Sequence, residues 1–388
     1  MPARRPLHTF LCALVATAAL CAACSAEEPA PRAAAPAPSS DAGRETATSA
    51  PPPTDTPTSA PPTTAGTDTM TIALAGDVHF AEHVAQLLQD PSTSGLADLR
   101  PLLAGADLAM VNLETAITTR GTPQPKQFHF RTTPAALDAL AETGVDVVTM
   151  ANNHAVDYGP DGLKDSLAAR ASSPIPVVGF GKDEDDAYGA AMLDVRGVRV
   201  AVLGATQVPD WTLRTWPAKG SRPGVASSSG AGLRRLATAV RRARADADVV
   251  LVYLHWGTDY TSCPDAAQKR TADALAAAGA DVVVGAHAHR VQGSGWRQGS
   301  YVAWGLGNFV WWRWRDPADT TTGVLTLTVR PQGRGKAARV SEQSWTPLRV
   351  RSDGVPRAAR DDKEQADLDA RRAAAQRCSG LSQTPPAG

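Results

Sequence analysis

An α/β fold whose sheet is buried on both faces is predicted for most of this 388-residue chain, on three observations. From residue 70 onward, short apolar runs alternate with helix-prone stretches about 10 to 15 residues long, the rhythm of strand–helix units. The runs are nearly continuous in Val, Ile, Leu and Ala, whereas a strand with one wet face would alternate. Five of them stop abruptly at Asp, Glu, Asn or His. Ligands of open α/β sheets collect beyond the carboxyl ends of the strands, so these endings predict one shared site.

Residues 71–75 form the first strand and lead into Gly76-Asp77-Val78-His79. Helical stretches are expected at 81–89 and 96–104, followed by a strand at 107–111 that ends in Asn112-Leu113-Glu114. A helix at 134–143 precedes the strand 146–150, which runs into Asn152-Asn153-His154. Asp157-Tyr158-Gly159-Pro160 turns the chain into a helix at 162–170, with Pro160 or Asp161 at its start. A strand at 198–203, a helix at 231–245 and a strand at 248–254 follow, the last ending in His255-Trp256-Gly257. A long Ala-rich helix at 264–278 leads to the apolar run 281–284 and then to Gly285-Ala286-His287-Ala288-His289. Residues i and i+2 of an extended chain point to one side, so His287 and His289 are expected to share a pocket. Gly285 is expected to supply the tight turn where that strand stops. Beyond residue 299 the pattern becomes strand-rich, at 301–304, 324–329 and around 340–350, and residues 361–376 read as a charged, solvated helix.

Equal numbers of basic and acidic residues leave no net charge, which excludes an electrostatic footprint for nucleic acid and a polybasic membrane patch. Residues 1–24 read as a targeting segment: Arg4 and Arg5, an apolar stretch too short to span a bilayer, then Cys21-Ala22-Ala23-Cys24. The segment resembles a bacterial lipoprotein signal, which implies lipidation at Cys24, a membrane anchor and an extracytoplasmic location. Residues 25–69 contain no aliphatic larger than Ala, so they predict a disordered tether with a reach on the order of 100 Å. Residues 70–350 then form the folded domain and 351–388 a polar tail. With the signal removed and Cys24 lipidated, Cys263 and Cys378 remain. Outside the cytoplasm such a pair is a candidate disulfide tying the tail to the domain.

The strand endings carry the chemistry. Asp77 and His79 offer one carboxylate and one imidazole, a combination suited to a divalent ion. Glu114 has two oxygens with which to bridge a pair of ions, Asn153 a neutral amide oxygen, and His255 a third imidazole at another strand end. Two clusters of about four ligands, holding ions about 3.5–4 Å apart, suit in-line displacement at phosphorus. Plainer readings stand beside these: Asp77 as a helix cap, His255 as a packed core histidine, Asn152 and Asn153 as turn residues.

The ordered set Gly76-Asp77, Asn112-Leu113-Glu114, Ala151-Asn152-Asn153-His154 with Asp157-Tyr158-Gly159, His255-Trp256-Gly257-Thr258-Asp259-Tyr260, Gly285-Ala286-His287-Ala288-His289 and Gly305-Leu306-Gly307-Asn308-Phe309 resembles the CapA family. That family is associated with synthesis or surface retention of poly-γ-glutamate capsule. It is similar in turn to calcineurin-like metallophosphoesterases, which implies a four-layer α/β/β/α sandwich with two divalent metal ions (Mn, Fe or Zn). By this resemblance Asp77, His79 and His289 hold one ion and Asn153, His255 and His287 the other. Glu114 stands where the phosphoesterases have a bridging aspartate. His154 becomes the general acid or the stabiliser of the leaving oxygen, and Asn152, Asp157, Arg290 and Asn308 are expected around the substrate. The chain departs from the usual patterns at Glu114, at Ala288 in place of Pro, and at Gly305 in place of Ser. The implied reaction is metal-assisted hydrolysis or transfer on an anionic polymer or phosphoester, with a capsule-synthesis complex as partner. A non-catalytic surface subunit or polymer-binding factor of such a complex is the alternative.

Trp304, Trp311, Trp312 and Trp314 crowd one stretch together with Arg313 and Arg315. A strand with core Trp on one face and Trp–Arg stacks on the other is the favoured reading; a stacking platform for a polymer or sugar is the second. Residues 210–217, with Trp211 and Trp216, are a candidate lid.

Overall fold

A computed structural model describes residues 69–386 other than Thr93 and Trp314; the signal segment with Cys24, the linker up to residue 68 and Trp314 lie outside the described residues. Two large sheets dominate. The first runs in the order Pro356–Arg357, Arg339–Val350, Thr321–Arg330, Met70–Val78, Leu108–Leu113, Val147–Thr149, Val177–Val178, with Asn308–Val310 beside the end of Met70–Val78. The second runs Ser294–Arg297, Ser300–Ala303, Val282–His287, Val249–Trp256, Val198–Thr206, Ala191–Val195. The site-bearing strands are parallel to their neighbours within each sheet, Met70–Val78 to Leu108–Leu113 in the first and Val249–Trp256 to Val282–His287 in the second.

Alternation of side chains explains why the runs look continuously apolar. Ile72 and Leu74 of the first sheet pack with Val200, Leu251, Tyr253 and Val284 of the second, forming a core between the sheets. The residues in between face outward. Ala73 and Ala75 meet Leu137, Leu140 and Leu163 from the helices Ala135–Glu142 and Gly159–Ala171. Val250, Val252 and Leu254 meet Leu236, Val240 and Leu275 from the helices Ala231–Asp246 and Ala266–Ala278. The expected strand–helix alternation is therefore present, but distributed over two sheets that share an apolar interface.

Gly285 departs from expectation. It lies within the strand Val282–His287, and a Cβ there would stand 2.0 Å from Trp256 Nε1 and 2.4 Å from the Trp304 carbonyl. The missing side chain makes room for the hydrogen bond that Trp256 Nε1 donates to that carbonyl at 2.8 Å. The turn falls instead on the histidines, with φ of +93° at His287 and +52° at His289. They are brought together by left-handed backbone, not by strand alternation.

The C-terminal helix Asp362–Arg377 also differs from the solvated tail expected. Leu368 and Ala375 are buried, and two of its acidic side chains are paired with arginines outside the helix: Glu364 accepts two hydrogen bonds from Arg351 at 2.6 and 2.9 Å, and Asp367 pairs with Arg349. Cys378 at its end is joined to Cys263. A charged sequence hides this docking because the cations sit outside the helix, at and just past the end of the strand Arg339–Val350. Replacing both cysteines with serine is expected to cost about 2–4 kcal/mol, read as a lower urea midpoint. Hydrogen bonds from Arg351 hold the Glu364 carboxyl down to about 2 from 4.5. A depressed acid stabilises above its unfolded value and loses that contribution as pH falls through the folded one. Glu364→Gln is therefore expected to destabilise the protein at neutral pH, with the difference from wild type fading between about 4.5 and 2 in denaturation curves taken across that range.

Candidate metal centre

The carboxyl ends of both sheets meet at one place. In the first sheet Asp77 lies opposite Asn112 in register; in the second, His255 lies opposite Ala286 and Trp256 opposite His287. The backbone at Gly76 fits tightly beside Gly307, where an added Cβ would stand 1.8 Å from the Gly307 carbonyl oxygen, and Asp77 N–H donates to that oxygen at 3.0 Å. Asp77 then joins the sheets: its Oδ1 accepts from Asn112 Nδ2 at 2.8 Å, and its Oδ2 from the His287 backbone N–H at 3.1 Å.

Among the described residues, three groups of side chains could hold a metal ion. They are Glu114 with His255 and His287, Asp77 with Glu114 and His289, and Asp259 with His287 and His289; in each, one ligand atom per residue lies within 4.8 Å of the others. Glu114 belongs to two groups. It is fully buried, and neither carboxylate oxygen has a hydrogen-bond partner. Its nearest polar neighbours are His255 Nε2 at 3.4 Å and His154 Nε2 at 3.8 Å. Burial, reinforced by Asp77, pushes its carboxyl well above the usual range. Burial also raises Asp77 and drives His255 and His287 well below the ordinary imidazole value. Neutral imidazoles are the donor state that a divalent cation requires, and a cation would in turn favour the ionised form of the two buried carboxyls.

Asn153 enters from the loop after Val147–Thr149, its Oδ1 2.7 Å from His255 Nε2. Its carbonyl is held by Lys126 and Thr212, the latter on the short helix Trp211–Thr215. That helix, once a lid candidate, thus braces the loop from behind; Trp211 Nε1 donates to Gln124 Oε1 at 3.2 Å. His154 presents Nε2 toward Glu114, while its Nδ1 lies 2.6 Å from Asp157 Oδ2. Asp157 is fully buried and also bound by Lys126 at 2.8 Å and by the Phe130 N–H at 2.7 Å. Burial would raise the Asp157 carboxyl, but His154 and Lys126 hold it below its ordinary value. Burial lowers His154, with Asp157 opposing.

The other expected site residues take different positions relative to this centre. Asn152 points away from the cavity, donating to Asn112 Oδ1 and the Leu113 carbonyl and accepting from the His154 N–H, so it shapes the turn and does not line the cavity. His79 lies outside all three groups. Its Nδ1 accepts from the Ala81 N–H at 3.1 Å, its ring stacks on Phe130 at 4.4 Å, and its buried Nε2 has no partner. Asn308 Oδ1 lies 2.8 Å from His289 Nδ1 and orients that ring. Arg290 does not itself line the cavity; it is paired with Asp316 at 2.9 Å and with Asp319, which does line it. Two residues escaped the sequence reading as site members: Asn112, which reaches both Asp77 and His255, and Asp259, 3.1 Å from His287 Nε2.

A cavity of about 290 Å³ opens above the centre, lined by Asn153, His154, His287 and His289 at its floor. Phe128, Trp311, Trp312, Tyr260, Arg313 and Arg315 form its rim. The Trp cluster is therefore split: Trp304 is core, whereas Trp311 and Trp312 face the cavity. Arg315 lies over the Tyr260 ring at 3.4 Å and Arg313 over Phe128 at 5.6 Å.

These features define a mixed α/β protein whose strand ends gather buried His, Asp and Glu side chains able to bind metal. Residues 71–311 match the family of bacterial capsule synthesis protein PGA_cap, and the chain belongs to that family. It is similar to the PGA biosynthesis protein CapA of Bacillus subtilis, with 29% identity over 55% of this chain and 56% of that one. It is also similar to the capsule biosynthesis protein CapA of Bacillus anthracis, with 30% identity over 55% and 53%. The chain thus spans about half the length of the curated relatives it matches. Among solved structures it matches a 5′-nucleotidase from Candida albicans at a TM-score of 0.42, with 11% identity over 77% of this chain and 56% of that chain.

Removing the orphaned carboxylate separates stability from metal binding. Glu114→Leu is expected to stabilise the metal-free protein by about 1–3 kcal/mol, the cost of a buried unsatisfied polar group. The same change is expected to abolish the rise in melting temperature that added divalent metal produces in the wild type.

Proposed function

We propose that this chain is a metal-dependent hydrolase or transferase of the metallophosphoesterase type, acting outside the cytoplasm on an anionic polymer or phosphoester of capsule assembly. The observation that carries this reading is Glu114, buried with both oxygens unpartnered, between the Asp77–His289 and His255–His287 groups. Mixed nitrogen and oxygen donors suit two divalent ions such as Mn, Fe or Zn. The order helix, sheet, sheet, helix is consistent with the four-layer α/β/β/α sandwich of that enzyme class. The names of the Bacillus relatives favour poly-γ-glutamate as the polymer. The disulfide supports an oxidising compartment, in keeping with a lipid anchor at Cys24.

Bound metal supplies Lewis-acid activation of the attacked group and of the attacking water. The protein supplies the rest. Asp157, kept ionised beside Lys126, accepts a hydrogen bond from His154 Nδ1–H and fixes the ring. His154 Nε2 is thereby left at the cavity side to take or return a proton as the leaving group departs. Arg313 and Arg315 at the rim attract the anionic remainder of the substrate, while Phe130 and Trp311 pack against His79 and keep water from the floor.

Elemental mass spectrometry of the purified protein, paired with phosphodiester and γ-glutamyl hydrolysis assays, tests this reading. About two equivalents of metal are expected. His154→Ala should retain them while losing about 10²–10⁴-fold in turnover. No metal after supplementation, or full turnover in the variant, would overturn the catalytic reading and promote a non-catalytic subunit of a capsule-assembly complex.

A further inference from the structure

His287 has two ring nitrogens in different surroundings. Nδ1 is buried and has no hydrogen-bond partner, whereas Nε2 lies 3.1 Å from Asp259 Oδ1 at the cavity mouth. A metal-ligating imidazole typically gives its second nitrogen to a carboxylate, which fixes the tautomer and the ring plane. We propose that Asp259 is a positioning residue of the metal centre, accepting a hydrogen bond from His287 Nε2–H and thereby turning the Nδ1 lone pair toward the ion shared with Glu114 and His255. The proposal rests on the reading of a metal centre.

The loop that carries Asp259 is built to stay in place. Gly257, at a φ of +90°, lets the chain leave the end of Val249–Trp256. Three residues on, the Tyr260 N–H donates to the Ala288 carbonyl at 2.7 Å, tying the loop to the residue between the two histidines. Gln292 Nε2 donates to the Thr261 carbonyl at 2.8 Å, and Cys263 is bonded to Cys378 on the docked C-terminal helix. Arg315 and Arg290 lie against the two faces or edges of the Tyr260 ring, at 3.4 and 5.3 Å. A half-exposed aspartate on a free loop would sample many positions; this one is tethered on both sides. At the mouth, such an aspartate orients His287 without adding a further buried charge beside Asp77 and Glu114.

Chelator competition with Zn²⁺ or Mn²⁺ on the purified protein tests the role, because it reads affinity and not turnover. Loss of such an outer partner typically weakens metal binding about 10–100-fold. That loss is expected for Asp259→Ala, with a smaller one for Asp259→Asn, whose amide oxygen still accepts from Nε2–H. Imidazole ¹⁵N spectra of the Zn²⁺-loaded wild type should show His287 protonated at Nε2. Wild-type affinity in Asp259→Ala overturns the proposal. So do equal losses in the two variants, which would be an effect of charge alone, and so does loss of a whole metal equivalent, which would make Asp259 a ligand. Absence of metal from the wild type would overturn the metal centre itself, an outcome distinct from all three.

Discussion

Asp77 ties the two sheets together at the level where both of them stop. One oxygen is held by Asn112 of the first sheet and the other by the backbone of His287 in the second. Just behind it, the Tyr253 hydroxyl donates to the Ala75 carbonyl across the interface at 2.7 Å. Buried ties of this kind fix how far the strand ends lie from one another, because a shift would leave each group unsatisfied. Every ligand distance in the centre follows from that alignment. The arrangement concentrates unfavourable terms as well. Two carboxylates are buried within one pocket of neutral imidazoles, and both histidines after Val282–Gly285 hold left-handed backbone at a cost of order 1–3 kcal/mol each. A cation answers the first of these terms, and unpaired buried charge is otherwise among the most costly features a fold can carry.

Much of this was legible from strand endings. Asp77, Glu114, Asn153, His255 and His287 each follow an apolar run, and parallel sheets collect such endings on one side. Asn112 was not legible. It sits at the end of an apolar strand next to a more conspicuous glutamate, and its value depends on lying in register with Asp77. Asp259 stands four residues past His255 in a loop, where nothing local distinguishes it from a solvated acid. Gly285 and Arg290 were found for reasons that the structure replaces. The glycine answers the bulk of Trp256 on the neighbouring strand, and the arginine answers acids about 26 to 29 residues further on. In each case the missing information is a long-range neighbour.

The same limit explains the sheets. A run buried on both faces looks alike whether its two sides meet helices or a second sheet, since Leu74 and Ala75 are both simply apolar. Period-2 alternation is present, but it separates two kinds of apolar environment and so leaves no trace in polarity. The C-terminal helix misleads in the opposite direction. Its charges look solvated because their partners, Arg349 at the end of a strand and Arg351 just past it, lie where the sequence does not place them beside the helix.

Two imidazoles in the centre are held by carboxylates, and the contrast between them is instructive. Asp157 grips His154 from inside, where burial would raise its carboxyl were it not for His154 itself and the ammonium of Lys126. That pair is sealed and needs its own counter-ion. Asp259 meets His287 at the mouth, where water already supports its charge and no lysine is required. Rigidity then has to come from covalent and backbone ties, which is what the Cys263–Cys378 bond and the Tyr260–Ala288 hydrogen bond provide. Burial with a counter-ion and exposure with a tether are alternative solutions to one requirement: a ring nitrogen fixed in direction.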